Sequence, residues 1–360
     1  MSNLATGEDL VAKHEGASMR ISLSILAIVT SLGMTHYTYA DEVKCPYDKP
    51  VIFAGLNWES GMFATEVLRF LVEKGYGCKT DAIPGNTVTM ENALAQNDIQ
   101  VTGEQWAGRS PFWREAEKAG KVFSVGETVK GATEGWWVPE YLVKGDSARG
   151  IEAKAPELRS VTDLSRYKDL FKDPESPDKG RFYNCPTGWT CEIVNTQKLK
   201  AYKLTDSFTN FRTGTGPALD AAISTAIRRG EPIVFYYWSP TPLMGRFKLI
   251  QLEEPPFSQQ AWETLSDSKN PSPLPSRSLP AKITIGISKD LHDQAPELVQ
   301  LFEKVQIPLP LFNNILAEMS EKHKDADAMS LAFFKEHRDI WSAWLSADAA
   351  ARVDAALNAQ

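Results

Sequence analysis

Between residues 51 and 101, short apolar runs alternate with helical patterns, and this alternation narrows the fold more than any other feature. Val51-Ile52-Phe53-Ala54 reads as a strand, and the segment after it sets Phe63, Val67, Phe70 and Leu71 on one helical face. Gly75 is the expected stop of that helix, and Tyr76-Gly77-Cys78 opens the next strand. Residues 90–95 read as a helix and Ile99-Gln100-Val101 as a third strand. Strand–helix–strand–helix–strand order requires crossover connections, which predicts parallel strands covered by helices in an α/β arrangement. Extended segments follow at 121–130 and 136–143.

A second region of the same kind comes next. It has a polar helical pattern at 158–171, a helix starting near Glu192, and a helix from Pro217 to Arg229 that Gly230 ends. The β-forming run Ile233 to Trp238 is closed by Pro240. Residues 266–280 are rich in Ser and Pro and read as exposed loop, after which Ile283 to Ile287 is a last strand before amphipathic helices. A chain of 360 residues has room for two lobes. The expected division is 41–140 plus 283–360 for the first lobe and 141–282 for the second.

Composition removes several function classes. With 42% apolar and 24% charged residues the chain is not a disordered or low-complexity one. Its 39 basic against 46 acidic residues leave a net charge of −7, without the basic face that a nucleic-acid binder needs to displace counterions. Met19-Arg20, the apolar run over 21–32 and Thr38-Tyr39-Ala40 form a secretory signal pattern too short to span a bilayer. Residues 1–40 are therefore expected to be an export signal with an upstream extension, cleaved near Ala40 to give a periplasmic product. All four cysteines, Cys45, Cys78, Cys185 and Cys191, lie beyond that point, where disulfides persist. Proximity favours Cys185–Cys191, leaving Cys45–Cys78, over a zinc site.

Catalytic signatures do not appear. There is no G-x-S-x-G elbow, P-loop or H-E-x-x-H, and the five histidines show no ligand spacing. Gly214-x-Gly216 lacks the third glycine of a dinucleotide fingerprint and reads as a turn before a helix cap. No cofactor, metal or catalytic residue is expected. Ten tryptophans, by contrast, are many. Trp106 follows the strand at 99–101, Trp189 sits between Cys185 and Cys191, and Trp238 ends the strand at 233–238. Ligands of α/β sheets bind at the carboxyl ends of strands, and several indole faces round one point suit a quaternary ammonium, which cannot donate hydrogen bonds.

Cys-Pro-Thr-Gly-Trp-Thr-Cys-Glu over 185–192 and Tyr-Tyr-Trp-Ser-Pro over 236–240, with residues 56–76 and 131–143, resemble the substrate-binding proteins of ABC importers for glycine betaine, proline betaine, choline and carnitine. The resemblance covers nearly all of the chain after residue 40. It implies a two-lobed periplasmic-binding-protein fold of the double-crossover kind, type II, with the ligand in the cleft between the lobes. It further implies a cation cage of Trp106, Trp189 and Trp238, and a ligand carboxylate held by the backbone amides of Thr190 and Cys191, where a helix begins.

Close betaine binders carry a histidine where this chain has Ser110, whose hydroxyl is the expected substitute, with Arg109 beside it. Choline-binding relatives place a cage tryptophan near Trp58, so Trp58, Glu59 and Trp136 are reserve candidates. The expected function is a monomeric periplasmic receptor that delivers a small quaternary amine, glycine betaine or proline betaine first, to the permease and ATPase subunits of an ABC importer, without catalysis. A choline or carnitine receptor of the same fold and an exported hydrolase with an aromatic cleft are the alternatives.

Overall fold

The computed structural model describes residues 43–359. The expected export signal and its cleavage site near Ala40 lie outside the described residues. In chain order the strands are β1 (Val51–Leu56), β2 (Thr80–Gly85), β3 (Val101–Trp106), β4 (Val122–Val129), β5 (Thr133–Pro139), β6 (Gly180–Asn184), β7 (Phe208–Arg212), β8 (Val234–Ser239), β9 (Leu249–Gln251) and β10 (Ile283–Ser288). They form two five-stranded sheets, β2-β1-β3-β10-β4 and β7-β6-β8-β5-β9. The helices that matter to the site are α1 (Glu59–Phe70), α2 (Thr87–Ala95), α3 (Pro111–Lys118), α4 (Glu140–Lys144), α5 (Thr190–Ala201) and α6 (Gly216–Arg229).

The two sheets share one plan. In the first, β1 runs parallel to both β2 and β3, in register from Val51 opposite Thr80 to Leu56 opposite Gly85. In the second, β6 runs parallel to β7 and β8, from Gly180 opposite Phe208 to Asn184 opposite Arg212. Each sheet then holds one strand antiparallel to both its neighbours, β10 between β3 and β4, and β5 between β8 and β9. In both cases it is the first strand reached after the chain passes from one sheet to the other. The fold is α/β with two lobes and a double crossover.

One boundary differs from the expected one. Residues 133–139 pair with β8 and β9, so the first crossing falls at 130–132, before residue 140. The Trp136-Trp137-Val138 run buries itself on the second sheet's own core, which outweighs continuity with β4. Trp136 packs at a tilt against Phe182 with ring centroids 4.0 Å apart. The first lobe's core holds Val51, Phe53, Phe63, Ile285, Phe302 and Trp341, all fully buried. Each such side chain contributes roughly 1.5–3 kcal/mol by leaving water.

Local signals act as read. Thr215 caps α6 by accepting from the Ala218 N–H at 3.3 Å, and Gly230 stops it at φ 69°. The first helix differs, since it continues through Gly75 as a wider turn, and Gly77 at φ 68° takes the left-handed position. The 158–171 segment contains only a tighter helix at Val161–Tyr167, within which Val161 and Leu164 are the buried residues. Both disulfides form, Cys45–Cys78 and Cys185–Cys191. The returning segment is tied to α5 by fully buried Lys198, whose Nζ donates to Glu254 Oε1 at 2.6 Å and to Ser278 Oγ at 2.9 Å. Among the described residues, no helix is long and apolar enough to cross a membrane.

Candidate functional site

The parallel strands β1, β3, β6 and β8 each have a tryptophan at or just beyond the carboxyl end. Trp58 follows β1 and Trp106 ends β3 in the first lobe; Trp189 follows β6 and Trp238 lies near the end of β8 in the second. All four line one cavity, together with Thr87, Glu91, Glu104, Gln105, Arg109, Glu134, Thr190, Cys191 and Tyr236, around an empty space of about 490 Å³ counted to its mouth. Trp189 is the middle of the aromatic group. Its ring centroid is 4.9 Å from that of Trp58 and 5.4 Å from that of Trp238, both edge-on, so the indoles enclose rather than stack.

The rings are held by their N–H edges. Trp58 and Trp106 both donate to Glu104 Oε1, at 2.9 and 2.7 Å, and Trp189 donates to Asn57 Oδ1 at 2.8 Å. Trp238 Nε1 is buried and has no hydrogen-bond partner among the described residues. Trp106 also lies under the Arg109 guanidinium, 4.7 Å from its centroid, which occupies one of its π-faces. Arg109 pairs with Glu134 across the lobes at 2.7 Å, with both side chains 5% exposed, and it also donates to the Leu279 carbonyl. Burial alone would push the Glu134 carboxyl up, but the Arg109 charge and the Tyr236 hydroxyl together hold it below its ordinary value.

Beside Trp189, the start of α5 also lines the cavity. The first-turn amides of a helix have no partner within it, and the capping residue here, Trp189, supplies no side-chain bond. Thr190 and Cys191 thus bring free N–H groups and the positive end of a helix dipole to the cavity. The Cys185–Cys191 disulfide closes the loop that carries them. Closing so short a loop is worth only about 2 kcal/mol by the entropy model. Replacing both cysteines by Ser should therefore cost more in affinity than in melting temperature, a comparison that titration calorimetry and thermal denaturation of one variant provide.

Three expected residues stand elsewhere. Ser110 does not line the cavity: it caps α3, accepting from the Trp113 N–H at 3.2 Å, and donates to Glu91 at 2.5 Å. Glu59 is buried in the first turn of α1, where it feels the charges of Asp220 and Arg246. Trp136 belongs to the second lobe's core, with its Nε1 on Asn195 Oδ1 at 2.8 Å. Conversely, Thr87, Glu91, Glu104, Gln105, Glu134 and Tyr236 line the cavity without having been expected. Glu104 had a signal, because a carboxylate in the apolar end of a strand must have a partner or a purpose. Burial raises the carboxyl of Glu104, and raises that of Glu91 to about 7.

Residues 49–336 match the family described as the substrate binding domain of ABC-type glycine betaine transport systems. The chain belongs to that family. It is accordingly a binding receptor and not an enzyme, which removes the hydrolase alternative. The receptor is 24% identical over 273 residues, 72% of its own chain and 78% of the other, to the glycine betaine/proline betaine-binding periplasmic protein of Salmonella typhimurium. It is 23% identical over 195 residues, 53% of its chain and 59% of the other, to the trimethylamine N-oxide-binding protein of Pelagibacter ubique. Among solved structures, the glycine/betaine/L-proline-binding protein from Borrelia burgdorferi superposes with a TM-score of 0.67 at 18% identity, covering 85% of the receptor and 100% of that chain. At that identity the likeness concerns the fold, and it is the two-lobed type II arrangement described above.

Proposed function

We propose that this receptor is exported to the periplasm, binds a quaternary ammonium compatible solute, glycine betaine or proline betaine first, and as a monomer hands it to the permease and ATPase subunits of an ABC importer. One observation carries the reading: four indoles, two from each lobe, surround a cavity that an uncapped helix start also lines. The trimethylammonium head sits among the rings, where each π-face contributes about 0.5–2 kcal/mol. The carboxylate meets the Thr190 and Cys191 amides, with Arg109 rather than Ser110 as the nearby polar side chain. The cage is complete only when the lobes meet, which makes closure part of binding.

A second reading rests on Glu104, whose Oε2 is buried without a hydrogen-bond partner among the described residues. A neutral carboxyl there would donate to the oxygen of trimethylamine N-oxide, a ligand with the same methylated head and no carboxylate. A thermal-shift and calorimetric series separates the two. Glycine betaine and proline betaine should stabilise the protein more than choline, carnitine or trimethylamine N-oxide. Choline bound as tightly as glycine betaine would remove the carboxylate role of the α5 amides. Preference for the N-oxide would establish the second reading in place of the first.

A further inference from the structure

Two charged residues of the cavity wall retain a buried polar atom without a hydrogen-bond partner among the described residues, Glu104 at Oε2 and Arg109 at Nη1. The Arg109 charge is already met by Glu134. Glu104, only 4% exposed, is in no ion pair among the described residues; its other oxygen accepts from two cage indoles, at 2.9 and 2.7 Å. Those bonds fix the carboxyl among the rings that enclose the space. A quaternary ammonium cannot donate a hydrogen bond, so its electrostatic complement is an oxygen that no donor has claimed, placed within a poorly solvated cavity.

We propose that Glu104 is the counter-ion of the ligand's cationic head, and that entry of the cation is coupled to loss of one proton from the Glu104 carboxyl. This rests on the quaternary ammonium reading and adds to it a charge-selecting residue. In the empty cavity burial raises the carboxyl and outweighs the hydrogen bonds of Trp106, Ser60 and Trp58, which favour its ionised form; no positive charge among the described residues adds to them. The arriving head supplies that charge, the Oε2–H bond breaks, and the proton passes to solvent. Proton and cation therefore compete for one oxygen, so affinity falls as pH is lowered from neutrality toward the ordinary carboxylate value of about 4.3. Among the described residues, the other titratable groups around Glu104 are Glu59 of α1, Glu91 of α2, Glu134 of β5 and Tyr236 of β8; Arg109 is the cation on the cavity wall, and the Arg246–Asp220 pair lies beyond Glu59. Arg109 and Glu134 neutralise one another, and burial holds Tyr236 protonated. Glu59 and Glu91 are raised to about 7, chiefly by burial, and so require controls.

The test is titration calorimetry with glycine betaine in pairs of buffers that differ in ionisation enthalpy, at several pH values. Tetramethylammonium, which has the head and no carboxylate, is the second probe. Wild type should release up to one proton per ligand and bind more weakly at lower pH. Glu104→Gln should melt near the wild-type temperature, lose affinity for both probes by tenfold or more, and lose the proton release. Glu59→Gln and Glu91→Gln should retain most of that release. A Glu104→Gln protein with wild-type affinity and wild-type proton stoichiometry overturns the proposal. Tetramethylammonium binding with proton release, when glycine betaine does not bind, would support Glu104 while removing the betaine reading; binding of neither probe would overturn both.

Discussion

Trp189→Ala should weaken glycine betaine binding by well over tenfold while leaving each lobe folded, the largest loss among the cage substitutions. Trp189 touches both Trp58 and Trp238 and bonds to Asn57 of the opposite lobe, so its removal opens the enclosure and loses a link across the cleft. Its indole contributes about 0.5–2 kcal/mol to the cation directly, and every 1.4 kcal/mol is tenfold in affinity. Trp58→Ala and Trp238→Ala should follow closely. Trp106→Ala should be milder, because Arg109 already covers one face of that ring. Trp136→Ala should show the opposite pattern, destabilising by about 3–5 kcal/mol through a core cavity with little change in the affinity of the folded fraction. Calorimetry and thermal denaturation of the five variants check both halves; unchanged affinity in Trp189→Ala would remove the cage assignment.

The second large effect is expected at a residue with no side chain. At Gly216, the first residue of α6, an added Cβ would lie 2.8 Å from Trp58 Cβ and 3.0 Å from Trp58 Cα, backbone of the other lobe. The Gly216 N–H also donates to the Asn57 carbonyl at 3.2 Å across the cleft. Gly216→Ala should therefore hold the lobes apart, lower glycine betaine affinity by tenfold or more, and reduce the ligand-induced rise in melting temperature. The ligand-free protein should melt close to the wild-type temperature, because the added methyl meets Trp58 only where the lobes come together. Gly230→Ala is the contrasting control: at φ 69° it strains the end of the same helix and should lower the melting temperature without weakening binding. If Gly216→Ala binds like wild type, close approach at this position does not limit closure.

Most of the fold could be read before any coordinates. The β-forming runs at 51–54 and 283–287 fall within strands, the run at 233–238 is offset from β8 by one residue, and the helix expected from Pro217 to Arg229 differs from α6 by one residue at its start. Such features depend on local periodicity and on Pro and Gly at the ends, which a sequence displays directly. The position of Trp189 between two cysteines was equally visible. What could not be read depends on partners distant in sequence. Glu104 matters because Trp58 arrives from another element to share its oxygen. Ser110 looked available for a ligand, and only packing shows that the Trp113 amide and Glu91 occupy it. The crossing before Thr133 was misplaced because β5 resembles a continuation of the strands before it, and only its pairing with β8 assigns it to the second lobe.

The positions of β5 and β10 have a consequence for the order of events in time. Every strand of the second sheet comes from residues 133–251, one unbroken stretch. The first sheet keeps a gap between β3 and β4 until residues 283–288 arrive to fill it. During synthesis or refolding the second lobe has all its strands available early, whereas the first must wait for a pairing that spans about half the chain. Non-local pairing of this kind delays folding. The N-terminal lobe is thus expected to be the last to acquire protection against hydrogen exchange, although its first strands are made long before those of its neighbour.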